Sequence, residues 1–232
     1  MSIQAVSKYS SFKTRIKKDY RKIKFSKSEA EYLNKYKTEA DYADKKPLLW
    51  GMKRAVDILS GAFGMIVSAP ILLVSAVAIK LDSKGPVLFK QKRIGKDGKP
   101  FNIYKLRTMY DDKANDGYNV ISPDDKRITK VGKVLRKYSI DECPQFYNIF
   151  KGDISLIGPR PITEYEHKKA HDFPEFAGRY AVKPGVKLKY GKNLESKKRF
   201  FVEKEYIQNW SPKKDINTLF SIVKDVLNGN NY

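Results

Sequence analysis

The longest uncharged and mainly hydrophobic run of the chain begins in its first third, where residues 58–79 carry no charged side chain. This length is close to the roughly 20 residues that a membrane-spanning helix needs. Pro70 lies in the middle of the run, and its ring clashes with the carbonyl of Ile66. Gly61 and Gly64 further weaken the helix before it. The pattern therefore predicts a membrane segment whose helix is interrupted.

The charges on either side favour a hairpin over a span. Two basic residues precede the run and two follow it, and basic flanks prefer the cytoplasmic side. We predict a re-entrant helix–break–helix over residues 47–84 that enters the membrane and returns, broken at Ser68, Ala69 and Pro70. A spanning helix is the second possibility, and a buried core helix of a soluble protein is the third.

Downstream, polar and apolar residues alternate in two short runs, residues 85–95 and 100–109. The Asp97-Gly98 turn signal lies between them, which predicts an antiparallel β-hairpin. A polar stretch over residues 111–125 then predicts a long loop.

Helical periodicity follows this loop. The spacing predicts a short helix over residues 128–139 with Val131, Val134 and Leu135 facing inward. A second helix is expected to begin near Asp141 and to end at a glycine, Gly152. A short strand then leads into a Pro-Arg-Pro turn.

The last helix is predicted over residues 211–229, with Ser211 as N-cap and Pro212 in the first turn. Its apolar residues form one stripe, which comprises Ile216, Leu219, Phe220, Val223, Val226 and Leu227. We expect this stripe to face a core, and a position on a membrane interface is the alternative.

These elements predict an α/β chain of the α+β kind. It would hold a basic N-terminal extension (residues 1–46), the re-entrant membrane hairpin (47–84) and a compact cytosolic catalytic domain (85–232). That domain would contain a small β-hairpin or sheet with amphipathic helices around it.

Charge narrows the choice of partners. Lys and Arg outnumber Asp and Glu by 47 to 26, which gives a formal net charge of +21 in 232 residues. Such an excess attracts nucleic acid, anionic membranes or phosphorylated substrates. A single cysteine excludes an intrachain disulfide and, with only two histidines in the chain, argues against a zinc site. A metal would be a hard ion held by carboxylates. The polar N-terminus lacks the apolar region of a signal peptide.

Two adjacent acids, Asp141 and Glu142, have two readings. Ser139 and Glu142 fit the S-x-x-E capping box of a helix N-terminus, where the helix dipole would stabilise the negative charge of Asp141. Alternatively, the acids belong to a site for phosphate chemistry.

Basic residues favour the second reading. The candidates for phosphate binding are Lys105, Arg107, Arg136 and Arg160. We expect Lys105 and Arg107 to point to one face of a strand. A carboxylate among these cations should have a depressed pKa and stay ionised. It would suit holding Mg²⁺ against a pyrophosphate or attacking phosphorus.

These residues also carry a family resemblance. The run "DDKRITKVGKVLRKYSIDECPQFYNIFKGDISLIGPRP" resembles the signature of the bacterial sugar transferases, the monotopic polyprenyl-phosphate phosphoglycosyl transferases. The block "KRAVDILSG…SAPILLVSAVAIKLDSKGPVLFKQKRIGKDGKPFNIYKLRTM" resembles their re-entrant helix and following hairpin. Together the two blocks extend from about Lys53 to Pro161.

The resemblance implies a function at the cytoplasmic face of the bacterial inner membrane. A UDP-sugar and Mg²⁺ would bind, an aspartate would form a covalent phosphosugar-enzyme and release UMP, and polyprenyl (undecaprenyl) phosphate would accept the phosphosugar. The product would start an exopolysaccharide, capsule or glycoconjugate. The resemblance assigns the nucleophile and metal ligand to Asp141 and its catalytic partner to Glu142. It also assigns the basic residues to Arg107, Arg136 and Arg160.

The chain departs from the family pattern in three places. Ala69 replaces the serine of the usual Ser-Pro break, and Cys143 replaces a leucine and is interpreted as a packing residue. The segment 182–193 begins like the family's nucleotide-associated motif and then diverges after Gly185. Two alternatives to an active transferase are a membrane scaffold of the same fold and a basic nucleic-acid-binding protein. We expect no nucleic acid as partner.

Overall fold

The computed structural model describes residues 47–110, 125–166, 179–188, 202–203 and 205–227. The predicted extension 1–46 and nearly all of the loop 111–125 lie outside the described residues. The helices are α1 Pro47–Asp82, α2 Lys130–Lys137, α3 Gln145–Lys151 and α4 Pro212–Leu227. The strands are β1 Leu88–Ile94, β2 Pro100–Leu106, β3 Ser155–Ile157, β4 Ile162–Thr163 and β5 Gly185–Lys187.

The membrane candidate α1 is one helix of 36 residues with Pro70 inside it. The break predicted at Ser68, Ala69 and Pro70 is therefore wrong as an interruption of secondary structure. Proline removes one hydrogen bond, but the helical backbone continues on both sides of Pro70. By length and composition α1 is the one described helix apolar enough to cross a membrane.

The polarity of α1 is the reverse of that of a helix in a water-soluble protein. Its buried positions, which recur every three to four residues or two turns apart, are Asp57, Gly61, Gly64, Ser68, Ser75 and Ile79. Its strongly exposed side chains are large and apolar, and include Leu59, Phe63, Ile66, Leu73, Val74 and Leu81. An apolar outer face over a small and polar inner face suits contact with lipid.

The predicted hairpin is confirmed. β1 and β2 pair antiparallel from Leu88↔Leu106 to Ile94↔Pro100, and the turn has positive φ at Asp97 (59°) and Gly98 (70°). β4 pairs with the other edge of β1, giving the order β2-β1-β4. β3 and β5 form a separate parallel pair. A mixed helix and sheet architecture was thus predicted correctly.

The helical predictions have mixed outcomes. Thr129 is the N-cap of α2, since its side chain accepts a hydrogen bond from Gly132 N. Leu135 is buried, but Val134 is 55% exposed, so its inward assignment is wrong. α3 ends as predicted at Gly152, which adopts the left-handed conformation (φ 95°). It begins at Gln145 instead of near Asp141.

α4 starts after Ser211, whose hydroxyl accepts from Lys214 N at 3.3 Å. The described part of its stripe does not face a core, because Ile216, Leu219 and Phe220 are 53%, 37% and 72% exposed. Ile222, on another side of the helix, packs against the core around Tyr206 and Trp210. The membrane-interface alternative for α4 thus fits the described side chains better.

Asp215 of α4 fastens this helix to the start of α1. It accepts hydrogen bonds from Lys53 Nζ (2.5 Å), Tyr206 Oη (2.8 Å) and Trp210 Nε1 (3.0 Å). Trp210 in turn stacks on Trp50 of α1 with ring centroids 4.3 Å apart. The carboxylate is 17% exposed, so its charge depends on these three donors.

Removing the Asp215 carboxylate should destabilise the fold. Asp215→Ala leaves Lys53 as a nearly buried, uncompensated charge, and we expect a loss of about 3 kcal/mol. Thermal unfolding in detergent checks this. The control is Glu205→Ala, because Glu205 lies 4.0 Å from Lys214 and is 72% exposed; it should change stability by less than about 0.5 kcal/mol. Equal effects of the two variants would contradict the role of Asp215.

Candidate active site

Asp141 and Glu142 lie in a single turn of 3₁₀-helix, Ile140–Glu142, between α2 and α3. Ser139 before it has a left-handed backbone (φ 55°), and its side chain caps nothing. An N-cap residue needs an extended backbone, so the predicted Ser139–Glu142 capping box is wrong. Left-handed backbone is uncommon for a residue other than glycine. The turn is therefore an irregular feature between two regular helices.

Glu142 is turned towards β2 instead. Its Oε1 lies 2.6 Å from Lys105 Nζ, and the two side chains are 30% and 25% exposed. This ion pair joins the strand and the turn at the edge of the solvent. It confirms the expected proximity of Lys105 to the acids.

Arg136 is held at the same place by the segment after β2. Its Nε donates to Thr108 Oγ1 at 2.8 Å. A Cβ on Gly132 of α2 would lie 2.1 Å from the Thr108 carbonyl oxygen. Only glycine permits so close an approach, so Gly132 brings α2 and Arg136 onto this segment. The guanidinium is near enough to Asp141 to favour its charged form.

Asn148 fixes α3 to the hairpin. It is fully buried; its Oδ1 accepts from Tyr104 N (3.1 Å), and its Nδ2 donates to Asn102 O (2.8 Å) and Asp153 Oδ2 (3.1 Å). An unmade bond at such a buried amide costs about 1–3 kcal/mol. Sequence reasoning missed this residue, although an asparagine amid the apolar residues of "FYNIF" is the signal that marks it.

Arg107 makes its side-chain hydrogen bonds to the residues just after α1 instead of to the acids. It follows β2, is 6% exposed, and donates to Lys84 O (2.8 Å), Ser83 O (2.7 Å) and Ser83 Oγ (3.0 Å). It thus binds the backbone just after α1. Lys105 binds Glu142 whereas Arg107 binds this backbone segment, and both the shared face of the two residues and a phosphate role for Arg107 stay predictions.

Arg160 of the Pro-Arg-Pro turn is exposed and has a second arginine beside it, Arg93 of β1. Arg93 Nη1 donates to Pro161 O at 3.0 Å. Burial and the charge of Arg160 lower the pKa of Arg93 to about 10, while Glu166 and Glu142 oppose the shift. Sequence reasoning missed Arg93, which links β1 to the turn that carries Arg160.

A capping box does form just after this turn. Glu166 Oε2 accepts from Thr163 N (2.7 Å), and Thr163 Oγ1 accepts from Glu166 N (3.0 Å). This is the reciprocal pattern that S/T-x-x-E predicts. It stabilises the chain beyond Pro161 and thereby the placement of Arg160.

Asp141 has a raised pKa, contrary to the expectation. The side chain is 7% exposed, and burial raises its pKa from 3.8 to about 6. Lys105 and Arg136 oppose the shift, and Glu142 adds to it. The cations alone would depress the pKa, but the desolvation that accompanies burial acts in the opposite direction and is larger. At neutral pH the carboxyl is still mainly ionised.

Cys143 is half-buried next to the acids. Burial, with the negative charges of Asp141 and Glu142, raises the pKa of its thiol. A raised pKa suppresses the thiolate, which agrees with the interpretation of Cys143 as a packing residue.

The carboxylates fit a magnesium ion only if the ion has other ligands as well. No group of three or more His, Cys, Asp or Glu side chains suited to a metal occurs in the part of the chain described here. Asp141 and Glu142 are the donors at this turn. Mg²⁺ typically uses one or two carboxylates, with substrate phosphates and waters completing its shell. The residues therefore fit a metal shared with a phosphorylated substrate.

Comparison with known proteins assigns the class. The family model described as bacterial sugar transferase matches residues 48–229, which include all of α1 but its first residue, the hairpin and the Asp141 turn. The chain belongs to the bacterial sugar transferase family.

Similar proteins include a UDP-glucose:undecaprenyl-phosphate glucose-1-phosphate transferase of Caulobacter vibrioides. It is 40% identical over 196 residues, which cover 77% of this chain and 71% of that protein. A UDP-N-acetylgalactosamine-undecaprenyl-phosphate N-acetylgalactosaminephosphotransferase of Aeromonas hydrophila is 37% identical over 191 residues, or 79% of this chain. The chain spans 45% of the length of that relative. An uncharacterised sugar transferase of Bacillus subtilis is 39% identical over 76% of this chain and 87% of its own length.

The raised pKa of Asp141 predicts a stability effect. Between about pH 4 and pH 6 the native state binds more protons than the unfolded state, so stability falls as pH rises. Above pH 6 the penalty is complete. At pH 7.5 the free energy of unfolding of Asp141→Asn should therefore exceed that of the wild type by about 1–3 kcal/mol. The variant should accordingly unfold at a higher temperature.

Thermal unfolding in detergent with EDTA measures this effect, and the advantage should vanish at pH 4. The exposed turn residue Asp97 gives a control, Asp97→Asn, which should show no comparable gain. A less stable Asp141→Asn at pH 7.5 would mean that the cations outweigh burial.

Proposed function

We propose that this protein transfers a sugar 1-phosphate from a UDP-sugar to a polyprenyl phosphate such as undecaprenyl phosphate. The observation that carries the proposal is the buried, mainly ionised carboxyl of Asp141 beside Lys105 and Arg136. It lies within the segment that matches the family. The named relatives act on UDP-sugars and undecaprenyl phosphate, which supports the choice of substrates.

The reaction has two displacements at one phosphorus. An oxygen of Asp141 attacks the β-phosphorus of the UDP-sugar, and the bond to the bridging oxygen breaks, so UMP leaves with the electron pair. An aspartyl phosphosugar results. A phosphate oxygen of the polyprenyl phosphate then attacks the same phosphorus and returns the free Asp141 carboxylate. The product is a polyprenyl-diphosphate sugar, the starting unit of an exopolysaccharide, capsule or other glycoconjugate.

The neighbouring residues have distinct parts in this proposal. Glu142, paired with Lys105, holds the ammonium beside the nucleophile. Arg136 and Arg160 offer guanidinium groups, which suit phosphate oxygens geometrically. Arg107 serves the fold through Ser83 and Lys84 and contributes to substrate binding only if these bonds open.

We further propose that Mg²⁺ is bound by Asp141, with Glu142 nearby, and by phosphates of the UDP-sugar. When bound, Mg²⁺ would neutralise charge on the pyrophosphate and on the leaving UMP. The desolvated carboxyl of Asp141 favours a neighbouring cation for the same reason that its pKa is raised.

The membrane placement is proposed as monotopic, on the cytoplasmic face of the inner membrane. Elements of the same domain contact α1 near both ends: Lys53 donates to Ile157 O (3.0 Å), and Asp82 accepts from Val131 N (3.1 Å). A straight helix would separate these two residues by about 44 Å, more than the roughly 30 Å hydrocarbon core. If α1 spanned the bilayer, parts of one domain would have to lie on opposite sides of the membrane. The outward apolar face would lie in one leaflet.

The chemistry is tested by trapping the covalent intermediate. Membranes containing the wild-type protein, incubated with a panel of UDP-sugars and Mg²⁺, should yield a phosphosugar adduct on Asp141 by mass spectrometry. Asp141→Asn should give no adduct and lose turnover by at least about a thousandfold, because its amide cannot serve as nucleophile. EDTA should suppress both signals.

Two outcomes would contradict the proposal. Full turnover in Asp141→Asn would exclude Asp141 as the nucleophile. The absence of adduct and of UMP release with every UDP-sugar in the wild type would favour a scaffold without activity. Asp97→Asn is the matched control and should keep both signals.

The placement is tested by labelling single cysteines in a Cys143→Ser background. Leu48 lies in the first turn of α1, Lys84 lies just after its end, and both are exposed, so Leu48→Cys and Lys84→Cys report on its two ends. Both should react with a membrane-impermeant maleimide only after the inner membrane is opened. Reaction of one of them in intact spheroplasts would establish a spanning helix.

A further inference from the structure

Two glycines of α1 lie directly against α3. A Cβ on Gly64 would come within 2.3 Å of the Phe146 ring, and a Cβ on Gly61 within 2.7 Å of Phe150 N and 3.0 Å of Phe146 O. The distances of 2.3 and 2.7 Å are below those of real Cβ contacts, so any larger residue at either position must displace its neighbour. The same addition at Gly51 would meet nothing within 4 Å. The demand for glycine is thus confined to the part of α1 that touches α3.

Arg54 holds the far end of α3 to the same helix. Its Nη1 donates to Ile149 O (2.8 Å) and its Nη2 to Phe150 O (2.7 Å). These carbonyls belong to the last turn of α3, where the helix dipole also stabilises a cation. α1 therefore contacts α3 along its length and fixes both its distance and its position along its axis.

The connection from α3 back to the acids is short and hydrogen-bonded. Phe146 N donates to Cys143 O (3.0 Å), and Cys143 N donates to Ile140 O (3.1 Å). Asp141 and Glu142 lie within this unbroken series of turns. A displacement of Phe146 is thus carried to both carboxyl groups, because no loose segment lies between them.

We propose that the contact of Gly61 and Gly64 with α3 positions Asp141 and Glu142, so that the apolar helix α1 acts as a positioning element for catalysis as well as a membrane anchor. Gly61 and Gly64 are positioning residues, since neither reaches the reacting atoms. The kinetic readout rests on the proposed function. The structural readout does not, because Cys143 is the single cysteine of the chain and reports directly on the turn.

The test is a double-mutant cycle in the full-length protein in detergent. Gly64→Ala should lower kcat about 10–100-fold while KM for the UDP-sugar changes by less than about twofold, because misplacement affects the transition state more than binding. It should also change the alkylation rate of Cys143 by N-ethylmaleimide. In a Phe146→Leu background, where the ring is gone, Gly64→Ala should have little effect on either quantity.

Two matched variants separate positioning from a general effect of the methyl group. Gly51→Ala makes the same change in the same helix without a contact and should leave kcat and the alkylation rate unchanged. Gly61→Ala meets backbone atoms, so Phe146→Leu should not rescue it. If Gly64→Ala fails to accumulate, Phe146→Trp presses a larger ring against the unchanged glycine and should lower kcat in the same way.

The outcomes test the positioning role and the proposed function separately. Equal effects of Gly64→Ala with and without Phe146, or no change in Cys143 alkylation in the single variant, would overturn the positioning role. An inactive wild type would overturn the proposed function alone. The alkylation cycle would then still test the contact.

Discussion

The structure depends on a helix whose polarity is reversed. α1 presents leucine, isoleucine and phenylalanine outward and turns Asp57, glycines and serines towards the protein. In water such a helix would expose a large apolar surface, which soluble monomers rarely do. Against lipid the same arrangement is favourable, and small residues let the packed partners approach closely. Helices α2 and α3 and strand β3 contact α1 directly.

Polar contacts complete the attachment. Asp57 accepts hydrogen bonds from Ser155 Oγ (2.8 Å) and Leu156 N (3.0 Å), which joins α1 to β3. Arg107 binds the backbone just after α1 and so joins the helix to β2. Each of these buried groups is costly if left unpaired, so the contacts define where the domain lies along α1. Specific polar pairing supplies an orientation that apolar packing alone would leave open.

Sequence patterns predicted the features that local chemistry determines. Alternation and Asp97-Gly98 were enough for the β-hairpin, and Gly152 for the end of α3. The features that they missed depend on contacts between distant segments. The left-handed Ser139, the use of Arg107 on carbonyls, and the inward role of Gly61 and Gly64 arise only when α1, α2 and α3 meet. The two acids were recognised as a pair because cations recur near them, but their burial could not be inferred from spacing.

Burial of Asp141 explains why the cations are necessary. A carboxylate taken out of water loses hydration, which raises its pKa and lowers stability at neutral pH. Lys105 and Arg136 offset part of this loss, so the group stays mainly ionised instead of becoming a neutral acid. A poorly hydrated anion is also the more reactive nucleophile, since less water must be displaced before it attacks. The buried carboxylate thus lowers the stability of the protein but is held in place as a reactive group. The attachment of α3 to α1 and β2 offsets this loss of stability.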